Sequence, residues 1–304
     1  MTFKIAFASC AKVQDVPSQP IWRQIAQHEP DLLLLTGDTI YLRNDYHDEV
    51  GALARDLESR YAAQFAEPNF AALLADMREH GKPVLAAYDD HDFIGNDRVG
   101  DDAPRALSEV SRQVFVRYLS PPRTGLDVYS RSTFGQLVDV IILDTRFYRT
   151  RLAPFRQARD AVLGADQWQW FEREARRVPS RFLIVVSAFP FHHKFFDSWQ
   201  TYEAACDRMV ALLRARPGVV LVTGDIHANA VCDDSGLIEI VSSGVARRDL
   251  ITQDLQANYG LLTLTGQQMR VELVSRVARQ RADFTVARDD WALPGWVKDA
   301  MSAR

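Results

Sequence analysis

The sequence predicts an α/β protein, a four-layer αββα sandwich of two mixed β-sheets packed face to face with helices outside. Three observations predict it. Short apolar runs alternate with amphipathic stretches through the first half of the chain. Residues 31–36 (DLLLLT) and 182–186 (FLIVV) are continuous apolar runs, as in strands covered on both faces. The second half then passes to strands separated by hairpin-length gaps.

In chain order, residues 3–9 (FKIAFAS) form the first strand. Residues 20–28 read as a helix with Pro20 near its start, where a missing N–H is harmless. The strand 31–36 is ended by Gly37-Asp38. Residues 48–65 and 69–80 are helical, and Gly81 stops the second helix. Residues 83–88 (PVLAAY) are a strand, followed at once by Asp89-Asp90-His91-Asp92. The polar segment 97–103 is a loop, and 104–119 is a helix. Residues 126–131 and 136–143 read as antiparallel strands joined across Phe134-Gly135. A helix at 164–177 is followed by buried strands at 182–186 and 219–222. Alternating strands follow at 237–241, 260–265 and 269–275. Residues 279–304 hold Trp291 and Trp296 without clear periodicity, and are expected to pack as an extension over the body or an opening of the site. The whole of 1–304 is expected to form one domain.

A chain of 304 residues can bury about 75% of its unfolded surface and needs no covalent staples. Its formal net charge of −4 argues against general nucleic-acid binding through phosphate neutralisation. No run of eighteen apolar residues is present, so no transmembrane helix is expected. Cys10, Cys206 and Cys232 are widely spaced, with no C-x-x-C pair and no disulfide framework. The stretch before Phe7-Ala8-Ser9-Cys10 is too short for a signal peptide and is interrupted by Lys4. A cytoplasmic location is the expectation.

Polar clusters recur at the carboxyl ends of the buried strands. They are Ser9-Cys10, then Gly37-Asp38-Thr39-Ile40-Tyr41, then Asp89-Asp90-His91-Asp92, then Ser187 with His192 and His193, and Gly224-Asp225-Ile226-His227. Ligands of open α/β sheets gather outside such ends. Asp89, Asp90 and Asp92 cannot all ionise in one cleft without compensation. A multivalent cation removes that conflict. Carboxylate, imidazole, thiolate and phenolate are all metal-ligand types, and a pair of cations bridged by a carboxylate suits phosphate ester hydrolysis.

Taken together, Ala8-Ser9-Cys10, Pro30-Asp31 through Gly37-Asp38-x-Ile40-Tyr41, Asp89-Asp90-His91-Asp92, Leu143-Asp144-Thr145-Arg146, Leu163-Gly164 with Gln167-Trp168, and Gly224-Asp225-x-His227 carry a resemblance. Over residues 7–244 the chain resembles the PhoD-like alkaline phosphatase branch of the calcineurin-like metallophosphoesterases. In this branch Ser-Cys stands in place of the superfamily's D-x-H, and Tyr41 in place of a second Asp. The resemblance implies a metallophosphoesterase-like fold and a metal-dependent phosphomonoesterase or phosphodiesterase acting on a small-molecule phosphate ester. The implied chemistry is in-line attack on phosphorus by a hydroxide held on the metals. It further implies Cys10, Asp38 and Tyr41 as ligands of one metal, ferric iron (Fe3+). Asp38 would bridge to a harder site, Asp90, Asp225 and His227 are the further ligands, and calcium (Ca2+) fills the harder positions. Mn2+ or Zn2+ are alternatives. His91 is the implied catalytic histidine, with Asp92 orienting it or a neighbouring backbone group.

Several readings stay open at the level of sequence. His192 and His193 are equal candidates for a further ligand, with an exposed loop as the rival. Arg146 is a phosphate clamp or a structural bridge to Asp144. The basic stretch Arg149, Arg151, Arg156 and Arg159 reads as a solvated face. Two rivals to a phosphoesterase are a non-catalytic metal or phosphate-ligand binding protein on the same fold, and a metal-free hydrolase with Cys10 as nucleophile and His91 or His227 as base.

Overall fold

The apolar runs become the strands of two six-stranded sheets in the computed structural model, which describes residues 2–42, 49–119, 127–151, 161–192, 197–233, 236–248 and 255–297. The strands are β1 (Phe3–Ala8), β2 (Leu32–Thr36), β3 (Val84–Ala87), β4 (Ser130–Phe134), β5 (Val138–Ile142), β6 (Phe182–Ser187), β7 (Val219–Thr223), β8 (Asn229–Cys232), β9 (Ile238–Ser242), β10 (Asn258–Leu264), β11 (Gln268–Ser275) and β12 (Ala282–Ala287). The helices are α1 (Ile21–Ala26), α2 (Val50–Phe65), α3 (Pro68–Glu79), the single turn α4 (Asp90–Phe93), α5 (Arg105–Leu119), α6 (Gly164–Arg176) and α7 (Glu203–Leu213).

One sheet runs β12-β11-β10-β1-β2-β3 and the other β4-β5-β6-β7-β9-β8. Both are mixed. β1, β2 and β3 are parallel, while β10, β11 and β12 add antiparallel strands to the free edge of β1. β5, β6, β7 and β9 are parallel and are flanked by antiparallel β4 and β8.

The layering follows from side-chain alternation. Leu32 and Leu34 of β2 join the core between the sheets, and Leu33 and Leu35 join the core under the helices. β6 does the same, with Ile184 between the sheets and Val185 under α6 and α7. A strand buried on both faces has no polar side, so its sequence is apolar throughout. Each such side chain contributes about 1.5–3 kcal/mol by leaving water. α1, α2, α3 and α5 cover one sheet through Trp22, Leu57, Phe70 and Phe115, while α6 and α7 cover the other through Trp168, Phe171 and Met209.

Parallel strands send all their carboxyl ends to the same side, so the polar clusters converge there. An isolated parallel bridge between Tyr88 and Asp144 joins the end of β3 to the loop after β5, tying the two sheets together beside the site.

Four local expectations change. β4 lies closer to its turn than residues 126–131, pairing Phe134 with Val138 around Gly135 at φ 58°. α7 and β8 are additional elements. Residues 282–287 of the expected extension are the edge strand β12, whose alternating buried and exposed residues face the inter-sheet core through Ala282, Phe284 and Val286. Within 97–103 there is a short 3-10 turn at Gly100–Asp102. Among the described residues, no helix is long and apolar enough to cross a membrane.

Candidate metal centre

The loops that leave β1, β2, β7 and β9 are held in tight contact by their backbones. The Cys10 and Ala11 amides donate to the carbonyls of Gly37 and Asp38, at 3.4 and 2.9 Å. Gly244 and Val245 donate to the Ser9 carbonyl at 3.1 Å each. A Cβ on Gly224 would lie 2.4 Å from the Thr36 carbonyl oxygen, so only glycine lets the end of β7 approach β2 this closely. Cys10, Asp38, Asp225 and His227 all have positive φ, between 51° and 73°. Such left-handed conformations cost energy in residues with a Cβ, and here four of them crowd one site.

Among the described residues, three sets of side chains have ligand atoms within 4.8 Å of one another: Cys10, Asp38 and His227; Asp38, Asp90 and His91; Asp38, Asp89 and Asp225. Asp38 belongs to all three. Cys10 Sγ lies 3.7 Å from Asp38 Oδ2. Tyr41 joins the groups, with its hydroxyl 3.1 Å from His227 Nε2 and its ring centroid 4.1 Å from that of His91. The Asp90 carboxylate accepts from the amides of His91 and Asp97, at 2.7 and 2.6 Å.

Arg146 is the buried counter-charge. Its side chain is fully enclosed, with Nε donating to Asp89 at 2.6 Å and one terminal nitrogen donating to Asp197 at 3.1 Å. The other lies 3.9 Å from Asp90. One cation does not neutralise this many carboxylates. Burial, then the neighbouring carboxylates, push Asp38 and Asp225 well above the usual carboxylate range. Burial raises Asp89 to about 6 against the pull of Arg146. For Asp90, burial is outweighed by Arg146, His91 and the Asp97 amide, and its pKa falls. Burial and then Asp38 raise both the Cys10 thiol and the Tyr41 phenol well above their ordinary values.

The donor set fits cations. Asp38 Oδ1, Asp89 Oδ2 and His91 Nδ1 are buried and have no hydrogen-bond partner. Unpaired buried acceptors are costly unless something positive fills the space between them.

Asp92 is buried, but it does not touch the His91 ring through a hydrogen bond. Its carboxylate accepts from the amides of Thr39 at 3.1 Å, Ile40 at 3.4 Å and Asp89 at 3.3 Å, and from Tyr61 Oη at 3.0 Å. Burial and the Asp89 charge raise it to about 7. It therefore holds the Asp38–Tyr41 loop against the end of β3, orienting backbone rather than His91. Arg146 bonds carboxylates through Nε and one terminal nitrogen, and its amide donates to Asp144 at 3.1 Å, while its other terminal nitrogen is buried without a hydrogen-bond partner. Of the basic stretch, Arg149 is buried rather than solvated, paired with Asp197 and lying 4.3 Å from the Phe189 ring centroid. Arg151 is exposed and pairs with Asp102. Arg156 and Arg159 lie outside the described residues, as does His193. His192 is buried against Glu239, with Nδ1 3.2 Å from its carboxylate, and belongs to none of the three groups.

The sequence profile of the PhoD-like phosphatases matches residues 5–261. The chain belongs to the PhoD-like phosphatase family. It is similar to alkaline phosphatase D of Bacillus subtilis (strain 168), with 24% identity over 278 residues. That match covers 75% of this chain but 46% of the relative, so the chain spans about half the length of the curated relative it matches. A solved structure of PhoD superposes with a TM-score of 0.74 at 19% identity, covering 94% of this chain and 70% of that one. A dimetal phosphatase from Danio rerio gives a TM-score of 0.59 at 13% identity, covering 94% and 99% of the two chains. A purple acid phosphatase from yellow lupin (Lupinus luteus) seeds gives 0.57 at 12%, covering 96% and 55%. These structures share the fold.

In this PhoD-like chain, Asp89 and His91 are the members of these groups that sequence reasoning left out of the ligand set, His91 being read there as catalytic. Asp90 and Asp92 stand in the same acidic run as Asp89, and only the fold separates one that faces Asp38 and Asp225 from one that faces backbone. Asp197, which joins Arg146 to Arg149, carries no sequence signal of its own.

Proposed function

We propose that this PhoD-like chain is a metal-dependent phosphoric ester hydrolase acting on small-molecule phosphomonoesters or phosphodiesters. One observation carries this reading: Asp38 is common to three groups of ligand atoms built from residues far apart in sequence. Cys10, Asp38, Tyr41 and His227 would hold one ion, and Asp38 with Asp89, Asp90 and Asp225 would hold its neighbours. Thiolate and phenolate favour a strongly Lewis-acidic ion such as Fe3+, and carboxylate oxygens suit Ca2+. Mn2+ and Zn2+ are the alternatives. Such ions, when bound, supply charge stabilisation on the phosphoryl oxygens and an activated water.

The chain's own residues do the rest. Arg146 neutralises Asp89 and Asp90 on the floor of the site. Asp92 fixes the loop that carries Asp38 and Tyr41. His91, held against the Tyr41 ring, is assigned as hydrogen donor to the leaving oxygen or to a phosphoryl oxygen; burial lowers its pKa, and its ring also lies within reach of Asp38 and Asp90 as a ligand. The Cys10-nucleophile reading lacks support. Reactive thiols lie in electropositive, accessible surroundings, whereas Cys10 is 2% exposed and sits among carboxylates.

The test is elemental analysis of the purified protein, with p-nitrophenyl phosphate and bis(p-nitrophenyl) phosphate as substrates. Hydrolysis lost on chelation and restored by metal supports the reading. A protein with no bound cation, and no activity after adding Fe, Ca, Mn or Zn, overturns it. His91→Ala is expected to lose activity with its metal content intact; a fall in metal content assigns His91 as a ligand instead.

A further inference from the structure

The site has a second set of positive charges that its floor does not use. Arg247 donates through one terminal nitrogen to the His227 carbonyl, and its Nε is buried without a hydrogen-bond partner. Its loop is fixed from both sides: Ala246 N donates to the Cys10 carbonyl at 3.0 Å, and Gln256 N donates to the Arg247 carbonyl at 2.8 Å. Lys12 follows Cys10 by two residues, and its Nζ lies 5.4 Å from the Tyr41 ring centroid. Its partner is Asp15 at 2.8 Å, and the two side chains are 40% and 54% exposed. An exposed pair of this kind contributes little, so it exchanges partners readily.

Charge is thus layered with depth. Arg146 is enclosed and committed to Asp89, Asp90 and Asp197. Lys12 is partly exposed beside the Tyr41 ring, and Arg247 is half-buried on the His227 carbonyl, so both cations border the ligand groups while keeping contact with solvent. A scissile phosphoryl group seated over the carboxylate groups leaves these cations facing whatever the substrate carries next to it.

We infer that Lys12 and Arg247 form an anion-recognition rim, which selects phosphate esters carrying a second anionic group, a carboxylate or another phosphate, beside the scissile phosphoryl. The inference rests on the phosphoesterase reading for the seat of the phosphoryl group. It makes no use of which ions are bound, and it concerns specificity rather than chemistry. A neutral neighbouring group would gain nothing from either cation.

The experiment compares two small monoesters, ethyl phosphate and phosphoglycolate, which differ chiefly in a carboxylate beside the ester oxygen. Their dissociation constants are measured by calorimetry on the metal-supplemented full chain, with turnover measured separately by phosphate release. Phosphoglycolate is expected to bind about fivefold tighter, the scale of two partly exposed ion pairs, and the advantage should shrink with added salt. Lys12→Met and Arg247→Met should each lower the affinity ratio, and Lys12→Arg should restore it. Glycerol 2-phosphate, with a neutral flank, should behave like ethyl phosphate. Equal affinities for the two esters in the unaltered protein, or a ratio that survives in Lys12→Met and Arg247→Met, would overturn the rim. Absence of turnover with the affinity ratio present would count against the esterase reading and leave the rim standing.

Discussion

Asp38 sits where three demands meet: it follows Gly37 at φ 102°, adopts a left-handed conformation itself, and offers its carboxylate to every ligand group in the centre. Asp38→Asn keeps the shape and removes the charge. It is expected to lower kcat by about a thousandfold, since charge stabilisation by metals is worth several kcal/mol, and to reduce bound metal in elemental analysis. Full metal content with near-normal kcat would contradict the bridging role. Arg146 makes a different prediction. Arg146→Met leaves Asp89 buried without its partner, a change that costs about 3–5 kcal/mol. Urea denaturation should show that loss directly. Were the arginine instead free to clamp phosphate, the same substitution would raise KM and leave stability unchanged.

Between elements, the site depends on contacts that carry no metal-ligand type. Tyr61 comes from the C-terminal half of α2, yet its hydroxyl reaches Asp92 at 3.0 Å, and Asp92 holds the loop after β2. Tyr61→Phe is expected to cost about 1–2 kcal/mol and to weaken metal binding about tenfold, the usual scale for an outer-shell partner. A competition titration with a chromophoric chelator measures the second effect; unchanged affinity would confine Tyr61 to the core. This explains how much of the site was legible in the sequence. The clusters that hold Cys10, Asp38, Asp90, Asp225 and His227 could be found because each stands at the end of an apolar run, whereas which of their members are ligands is implied by the family resemblance. Asp92 and Arg146 could be found but not assigned, because their partners, Thr39, Tyr61 and Asp89, lie across the fold. The elements divide similarly. β2 is legible as DLLLLT because both its faces are covered. α7 buries Ala205, Met209 and Leu213 at helical spacing, but Tyr202 at its start makes no side-chain cap, so nothing local marks the boundary. β8 is four residues long and exists through its pairing with β9. β12 does alternate, over six residues, and becomes a strand by pairing with β11.

For the molecule as a whole, the acid cluster links stability to pH and to metal. With no ion bound, burial pushes Asp89 up to about 6 and Asp92 up to about 7, and it also pushes Asp38 and Asp225 well above the usual carboxylate range. The unfolded chain releases the same protons near the ordinary carboxylate pKa of about 4. Between these values the native state binds more protons than the unfolded state, so stability falls as pH rises. The contribution is fully present below about pH 4 and is lost as pH passes through 6 and 7, at about 1.4 kcal/mol per pKa unit for each group. Other groups, such as Glu239 with its lowered pKa, act in the opposite sense at lower pH: burial raises it, but His192 and the amide and hydroxyl donors prevail. His91 and His227, whose pKa values burial lowers, also act in the opposite sense, below the ordinary histidine value of about 6.5, so the trend of the raised carboxylates is expressed most cleanly above that pH. Chelator-treated protein is expected to melt at progressively lower temperature as pH rises from there to 8. Bound cations reverse the trend, because they favour the ionised carboxylates and bind the native state alone. The rise in Tm on adding metal should consequently grow from pH 5 to pH 8, and Asp92→Asn should flatten the slope seen in the chelator. A Tm in chelator that climbs steadily from pH 5 to 8 would mean that these carboxylates are neutralised by something other than a metal ion.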